Sequence, residues 1–235
     1  MNTVNKTSRI LGAAFLLQAV SSLVSNAFLL DPLIVPGNII STMTNIVNNA
    51  MQVRAGILGD MVTAFGIIFL GAILFVTLRK QNEKMALIAL GFYILEAMLM
   101  AVSRLLTFSL LRISQESVIV GHPAYLQSLG NLTFETMHFG FSALAMLAFC
   151  LGAILFYYLL DKSRIVPRVL SLWGLITVVP CLIATLFILF GYEVPFLVYL
   201  PYAPFEFIAG IWILVKGVRD GSENMVTSDI GKIKK

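Results

Sequence analysis

The chain consists of long apolar stretches separated by short polar connections. An α-helix rises 1.5 Å per residue, so about 20 apolar residues are needed to cross roughly 30 Å of membrane hydrocarbon. Stretches of that length occur at residues 10–30, 55–78, 85–111, 137–160, 165–190 and 196–215. Because few charged residues interrupt them, we interpret each as a membrane-spanning helix. The pattern predicts an all-α, polytopic membrane protein, a six-helix bundle within a lipid bilayer.

Composition leaves little of the chain for anything outside this bundle. Of the 235 residues, 59% are hydrophobic and 12% are charged, whereas soluble domains carry roughly 25% charged residues. We therefore expect residues 1–219 to form a single transmembrane domain, without a separate soluble domain. Residues 220–235 are polar, and we expect them to form a cytoplasmic tail.

The basic residues indicate how the bundle is oriented. All but three of the 16 Lys and Arg residues flank the spans on one side, the exceptions being Arg54, Arg104 and Arg112. Positively charged flanks remain in the cytoplasm, so we expect a cell-membrane protein with both termini cytoplasmic. The basic residues form no continuous face, which argues against nucleic acid as a partner despite a net charge of +4.

The first span has two interpretations. Basic residues precede its apolar run, and Ser25-Asn26-Ala27 resembles a signal-peptide cleavage site. However, the apolar run continues through Leu30, and removing it would leave an odd number of spans. We therefore favour an uncleaved membrane anchor.

The first outer loop, residues 31–53, has the pattern of a helix. Apolar residues recur at helical spacing on one side, while Asn, Ser, Thr and Gln occupy the other. This amphipathic pattern predicts a short interfacial helix at the outer membrane surface. In the second outer loop, residues 112–136, Pro123 is the expected start of another short helix.

Two acidic residues are predicted near the middle of the membrane. Counting along the helices from their basic flanks places Glu96 about 18 Å and Glu206 about 15 Å from the cytoplasmic side. Two carboxylates at one depth cannot both stay ionised in hydrocarbon, so one or both are protonated, they share a proton, or a cation lies between them. Pro201 and Pro204 indicate a broken helix that lines a site. Alternatively, the last helix begins at Pro204 and Glu206 lies in its first turn.

Further ionisable residues are predicted in the outer half of the membrane. The same count places Asp60, Arg104 and His138 about 28–33 Å from the cytoplasmic side, with Glu135 and Arg54 at the rim. Asp60 and Arg104 match in depth and have opposite charges, so we expect a structural ion pair. His138 either binds a ligand or hydrogen-bonds to a nearby carbonyl or carboxylate. Because ionisable groups in hydrocarbon face a bundle interior or a cavity, the pattern predicts a polar cavity that opens outward.

Several short motifs occur in an order that resembles a known family. They are Arg54-Ala-Gly-Ile-Leu-Gly-Asp60 in the second span, Tyr93-Ile-Leu-Glu96-Ala in the third, His138-Phe-Gly in the fourth, Ile165-Val-Pro167-Arg-Val-Leu in the fifth, and Pro204-Phe-Glu206 with Ile211-Trp-Ile-Leu-Val-Lys216-Gly-Val in the last. Over most of its length the chain resembles bacterial multi-pass membrane proteins known only as a domain of unknown function. The resemblance implies polar groups at Asp60, Glu96, His138 and Glu206, and it implies no reaction, ligand or cofactor.

The leading functional hypothesis is binding or transport of a small ligand, proton or cation. The outward-facing cavity would hold it, with Glu96, Glu206 and His138 as the candidate site residues. Six helices are few for a transporter, so this hypothesis predicts a homo-oligomer.

Two other hypotheses remain open from the sequence. Glu135-Thr-Met-His138 has the i, i+3 spacing of ligands in di-iron carboxylate bundles, which allows an intramembrane metal-dependent enzyme. Those bundles use two such motifs, whereas this chain has one. The third hypothesis is a non-catalytic partner of another membrane protein, in which the polar groups only stabilise the bundle.

Overall fold

A computed structural model describes residues 3–217, with side chains from residue 9 onward. Every regular element in that part of the chain is helical. The α-helices are α1 (Thr3–Leu23), α2 (Ile39–Asn48), α3 (Ala50–Leu78), α4 (Glu83–Ile119), α5 (Ala124–Glu135), α6 (Ser142–Ser163), α7 (Arg168–Leu189) and α8 (Ala203–Lys216). The predicted polar tail, residues 220–235, lies outside the described residues.

Six helical segments within residues 3–217 are long and apolar enough to cross a membrane, which confirms the predicted architecture. They are Arg9–Leu33, Ala50–Leu78, Glu83–Ile119, Ala124–Ser163, Arg168–Leu189 and Phe196–Lys216. Large apolar side chains also point away from the bundle, as Leu58, Phe65 and Phe69 do on α3. A helix that is apolar around its whole circumference suits a lipid environment, so these outward side chains would contact acyl chains.

Two of the spans are much longer than the sequence pattern predicted. The third span was expected to end near residue 111, but α4 continues to Ile119 and has 37 residues, a length of about 55 Å. The fourth was expected to begin near residue 137, but helix is continuous from Ala124. The additional helical turns contain polar residues that are compatible with an α-helix. The apolar composition therefore marks the end of the membrane hydrocarbon and not the end of the helix. These turns project from one end of the bundle.

A helix, α2 (Ile39–Asn48), occupies the segment in which an interfacial helix was predicted. Its N-terminus is capped by Asn38, whose side-chain oxygen accepts a hydrogen bond from the Ser41 backbone N at 3.0 Å. Met43 and Ile46 on its apolar face are buried, and the helix packs against α4 and α5. The apolar face is therefore covered largely by protein. We call α2, α5 and the projecting end of α4, residues 112–119, the cap.

The helix α4 is central to the bundle, since it packs against α3 on one side and α6 on the other. Tyr93 of α4 is buried between two glycines. A Cβ at Gly71 would lie 3.2 Å from Tyr93 Cβ, and one at Gly152 would lie 2.7 Å from Tyr93 Cδ2. Both glycines therefore make room for the same ring. At the end opposite the cap, the core is a fully enclosed apolar layer that includes Leu74, Leu78, Ala86, Ala89 and Leu159.

Close packing of α1 against α8 yields a test of the fold. A Cβ on Gly12 would clash with the Leu214 backbone N and lie 2.8 Å from the Gly210 carbonyl oxygen. We predict that Gly12→Ala destabilises the protein by about 1–3 kcal/mol, because helix backbone cannot yield as a side chain does. The thermal unfolding midpoint in detergent measures the effect.

Gly91→Ala is the matched control, because a Cβ at Gly91 meets no atom within 4 Å. It should be neutral or slightly stabilising, since alanine favours helix over glycine by about 1 kcal/mol. Equal midpoints for the two variants would contradict the close approach of α1 and α8.

Candidate functional site

Two membrane helices widen into π-helical turns that line the same cavity. The first turn, Val24–Leu30, extends α1 and carries Asn26. The second, Thr136–Phe141, joins α5 to α6 and carries His138. A π-helical turn displaces side chains from the regular α-helical positions and often occurs at functional sites. Here both turns place a polar side chain, Asn26 or His138, in the lining of one cavity near the cap.

An ion pair lies at the centre of this region. Arg104 Nη1 of α4 is 2.9 Å from Asp60 Oδ2 of α3, and the two side chains are 12% and 1% exposed. Asn26 Nδ2 donates to the other carboxylate oxygen of Asp60 at 3.2 Å, and Arg104 Nη2 donates to Ser103 Oγ at 3.2 Å. These contacts pair opposite charges that would otherwise be unstable in hydrocarbon. They also tie α1, α3 and α4 together.

The carboxyl of Glu96 lies in a different environment. Glu96 is buried on α4, with 8% of its surface exposed, and its Oε2 atom has no hydrogen-bond partner among the described residues. The great majority of buried polar atoms in folded proteins do have a partner. Glu96 is therefore a buried acid whose hydrogen-bonding capacity is unused in this structure.

Glu96 and the ion pair line one chamber of about 160 Å³, which we call the inner chamber. Its polar lining consists of Asn26, Asp60, Glu96, Ser103, Arg104 and Ser142. Its apolar lining consists of Met100, Phe141, Ala145, Met146 and Phe149. The chamber thus has a charged wall from α3 and α4 and an aromatic and thioether wall mainly from α6.

Two further chambers lead from the inner chamber toward the cap. A middle chamber of about 140 Å³ shares Asn26, Arg104 and Ser142 with it. An outer chamber of about 370 Å³ lies under α2 and shares His138 and Phe134 with the middle chamber. Because neighbouring chambers share lining residues, the three form a series from the cap to Glu96.

A chain of phenols lies behind the aromatic wall. Tyr202 Oη donates to Glu206 Oε1 at 2.8 Å, and the Tyr157 and Tyr202 hydroxyl oxygens are 2.6 Å apart. Since Tyr202 donates its proton to Glu206, Tyr157 must donate to Tyr202. Tyr93 adjoins Tyr157 on the far side. Tyr157 and Tyr202 are therefore ordered so that each donates toward the Glu206 carboxyl.

Comparison with known proteins was made against families, curated proteins and solved structures. Residues 10–217 match the family described as Domain of unknown function (DUF4386). The chain belongs to this family. No curated protein and no solved structure matches it. The family match agrees with the resemblance in the short motifs, and it names no reaction, ligand or cofactor for the DUF4386 chain.

In this DUF4386 protein, the two acids predicted near the middle of the membrane do not contact each other directly. Glu96 faces the inner chamber, whereas Glu206 is held by Tyr202. Phe149, which lines the inner chamber, packs on Tyr202 with 5.2 Å between ring centroids. Glu206 lies in the first turn of α8, which is the alternative that the prolines had left open.

The metal-ligand candidates, Glu135 and His138, lie near the cap. Glu135 is exposed and accepts a hydrogen bond from Asn131 Nδ2 at 2.8 Å. The His138 ring stacks on Phe134, with centroids 5.3 Å apart, and lines the outer and middle chambers. Among the described residues, no group of three or more His, Cys, Asp or Glu side chains could hold a metal ion.

Several residues of the site were not identified from the sequence. Asn26 was considered only as part of a cleavage site, yet its amide holds Asp60. Tyr157 and Tyr202 were not singled out. One signal was available, because Tyr202 and Glu206 are four residues apart and so share a helix face. Another was Gln18, a buried amide in the first span that lies beside Glu206.

The ion pair gives the second prediction. Asp60→Asn should destabilise the protein by about 3–5 kcal/mol, because it leaves Arg104 charged and buried without its counter-ion. The double variant Asp60→Leu, Arg104→Met should recover most of that loss, since it removes both charges together. Thermal unfolding in detergent measures both. A double variant no more stable than Asp60→Asn would show that the pair is not the source of the effect.

The control is the ion pair at the other end of the bundle, Arg168 with Asp161. These groups are 3.5 Å apart and more exposed, at 58% and 22%. Exposed pairs contribute at most about 1 kcal/mol. Asp161→Asn should therefore shift the midpoint much less than Asp60→Asn.

The phenol chain gives the third prediction. Tyr202→Phe removes the donor to Glu206 and should destabilise the protein by about 1–3 kcal/mol, because a buried acceptor loses its partner. Tyr158→Phe is the matched control, since Tyr158 is adjacent in sequence to Tyr157 but exposed. Thermal midpoints of the two variants provide the comparison. A midpoint for Tyr202→Phe as high as that of the control would rule out a structural role for the hydrogen-bonded phenols.

Proposed function

We propose that this protein binds a small polar ligand in the inner chamber, with Glu96 as the principal contact. The supporting observation is the enclosed Oε2 atom of Glu96, which has no hydrogen-bond partner among the described residues although the side chain lines a chamber. A ligand that donates to this carboxyl would complete its hydrogen bonding. Ionisable residues in a membrane interior commonly mark substrate or ion pathways.

The contrast with Asp60 strengthens this proposal. Asp60 is at least as buried as Glu96, and both of its oxygens lie within 3.2 Å of a nitrogen from Arg104 or Asn26. Asp60 thus fits a structural role, which is to neutralise Arg104 and fix three helices. Glu96 has no comparable partner among the described residues. A purely structural role would leave the free-energy cost of burying its carboxyl without compensation.

We also propose the orientation of the chamber. Basic residues concentrate at the end of the bundle opposite the cap, and the positive-inside rule places that end in the cytoplasm. On this assignment the protein lies in the cell membrane with both termini cytoplasmic, and the three chambers open outward beneath the cap. The apolar layer around Leu74 and Leu78 would then close the pathway on the cytoplasmic side.

Proton-linked transport is the second candidate function. The observation that favours it is the ordered chain of Tyr157, Tyr202 and Glu206 behind the chamber wall, since hydrogen-bonded hydroxyls that end on a carboxyl can pass a proton along the chain. Such a transporter would be expected to act as a homo-oligomer. The metal-enzyme and partner-protein hypotheses have no comparable supporting observation in the described geometry.

The proposed function predicts ligand-dependent stabilisation of the purified protein. Small amines, carboxylates, polyols and amides would be screened by thermal unfolding, because a ligand at 100 times its Kd stabilises the folded state by about 2.7 kcal/mol. At least one class should raise the midpoint. Glu96→Gln and Ala145→Trp should abolish the rise, the first by removing the charge and the second by filling the chamber.

Glu193→Gln serves as the control, because Glu193 is exposed in the connection between α7 and α8. It removes the same charge as Glu96→Gln without touching the chamber and should leave the stabilisation unchanged. A screen in which no class stabilises the protein, or in which Glu96→Gln and Ala145→Trp respond like wild type, would overturn the proposal.

A further inference from the structure

The charges that line the inner chamber do not balance. Asp60 and Arg104 neutralise each other across 2.9 Å. Glu96 is the remaining ionisable side chain of the lining. The chamber therefore carries one unbalanced acidic group. A carboxylate enclosed in a low-dielectric site is stable only when a positive charge or a set of hydrogen-bond donors accompanies it. The ligand that fits the ionised chamber has a net charge of +1.

The apolar wall narrows the chemistry of that cation. Phe141 and Phe149, together with Met100 and Met146, line the chamber beside Glu96. Aromatic rings attract ammonium groups through their quadrupole, and this attraction strengthens when the ammonium is desolvated. Thioether side chains adapt to small apolar groups. By contrast, hard metal cations need a shell of six or more oxygen ligands, which a wall of rings and thioethers does not supply.

The size of the chamber limits the ligand further. Its volume is about 160 Å³, and an apolar cavity of about 150 Å³ in another protein holds benzene. A guest of roughly five to eight non-hydrogen atoms is therefore expected to fit. Small alkylammonium ions have this size, whereas a bare monovalent ion would leave most of the chamber empty.

We propose that the inner chamber is a site for a small organic ammonium ion, with the Glu96 carboxylate as counter-ion and the Phe141 and Phe149 side chains against its alkyl groups. This inference rests on the proposed ligand-binding function and specifies its ligand class. Asp60 is not the counter-ion, because Arg104 and Asn26 already occupy it. Ser142 and Asn26, which line both the inner and the middle chamber, would lie on the entry route.

A cysteine thiol placed in the inner chamber can report whether the chamber favours cationic or anionic reagents. In Ala145→Cys the new thiol would line the inner chamber, and in Leu144→Cys it would lie on the exposed, lipid-facing surface. Cys150 and Cys181 are buried, so the unsubstituted chain gives the background reaction. Each protein in liposomes is treated with a trimethylammonium or a sulfonate methanethiosulfonate reagent, both of which are membrane-impermeant.

We expect Ala145→Cys to react roughly tenfold or more faster with the cationic reagent than with the anionic one, relative to a free thiol, because one unpaired carboxylate nearby favours a positive reagent. Glu96→Gln in the same background should remove this preference, and Glu193→Gln should keep it. Tetramethylammonium chloride should slow the reaction more than sodium chloride at equal ionic strength. Leu144→Cys should react at the background rate.

The outcomes separate this inference from the proposed function. Three results would overturn the ammonium site: no preference between the two reagents, a preference for the sulfonate reagent, or equal protection by sodium and tetramethylammonium. Each of these results would still show that the chamber is accessible. Failure of Ala145→Cys to react with either reagent would count against the proposed function itself.

A second measurement needs no substitution in the chamber wall. Tetramethylammonium chloride should raise the thermal midpoint of the unsubstituted protein above the value in sodium chloride, and Glu96→Gln should abolish the difference. Equal midpoints in the two salts would contradict the ammonium site even if the cysteine variant failed to fold.

Discussion

Hydrocarbon offers no water to a charged or polar group, so every such group that enters the membrane must find its partner inside the protein. The ion pair between Asp60 and Arg104 satisfies this requirement for two opposite charges at once. It joins α3 to α4, and the Asn26 amide adds the widened turn after α1. This ion-paired cluster therefore helps to fix the position of these three helices relative to one another. The chambers form around that cluster.

The interior polar groups separate into two sets with an aromatic layer between them. On one side are Glu96, the ion pair and the chambers that lead to the cap. On the other are Glu206 and the phenols of Tyr157 and Tyr202. The Phe149 ring lies between the sets, packed against Tyr202. The first set thus lines chambers, while the second is internally hydrogen-bonded.

The cap and the apolar layer give the bundle two different ends. Beneath the cap, the chambers are lined in part by irregular backbone segments, which include both π-helical turns. At the opposite end, large and small apolar side chains from α3, α4 and α6 fill the interior completely. Irregular backbone at membrane depth is tolerated where it lines a cavity or is buried in protein, and both turns are in such a place. Asymmetry of this kind suits a protein that receives its ligand from one side.

The sequence determined the features that depend on composition along one helix. Long apolar stretches predicted six membrane helices, and amphipathic spacing predicted α2, because lipid and water sort side chains by polarity whatever their neighbours are. Counting residues also predicts a depth in the membrane for Glu96, Asp60 and Arg104, since helical rise is constant, and these depths stay predictions. The DUF4386 match over residues 10–217 identifies the family but names no reaction or ligand.

Only the tertiary structure decided which of these groups meet. Whether Asn26 reaches Asp60, or whether Glu206 pairs with Tyr202 and not with Glu96, depends on how each helix is rotated about its axis. Packing across helices sets that rotation, through contacts such as Tyr93 between Gly71 and Gly152. The extra helical turns of α4 and the two π-helical turns were equally inaccessible, because apolar pattern reports the boundary of hydrocarbon and not the end of a helix. The sequence thus predicts how deep the acids lie in the membrane, whereas packing leaves Glu96 facing a chamber, with no hydrogen-bond partner for Oε2 in the described part of the chain.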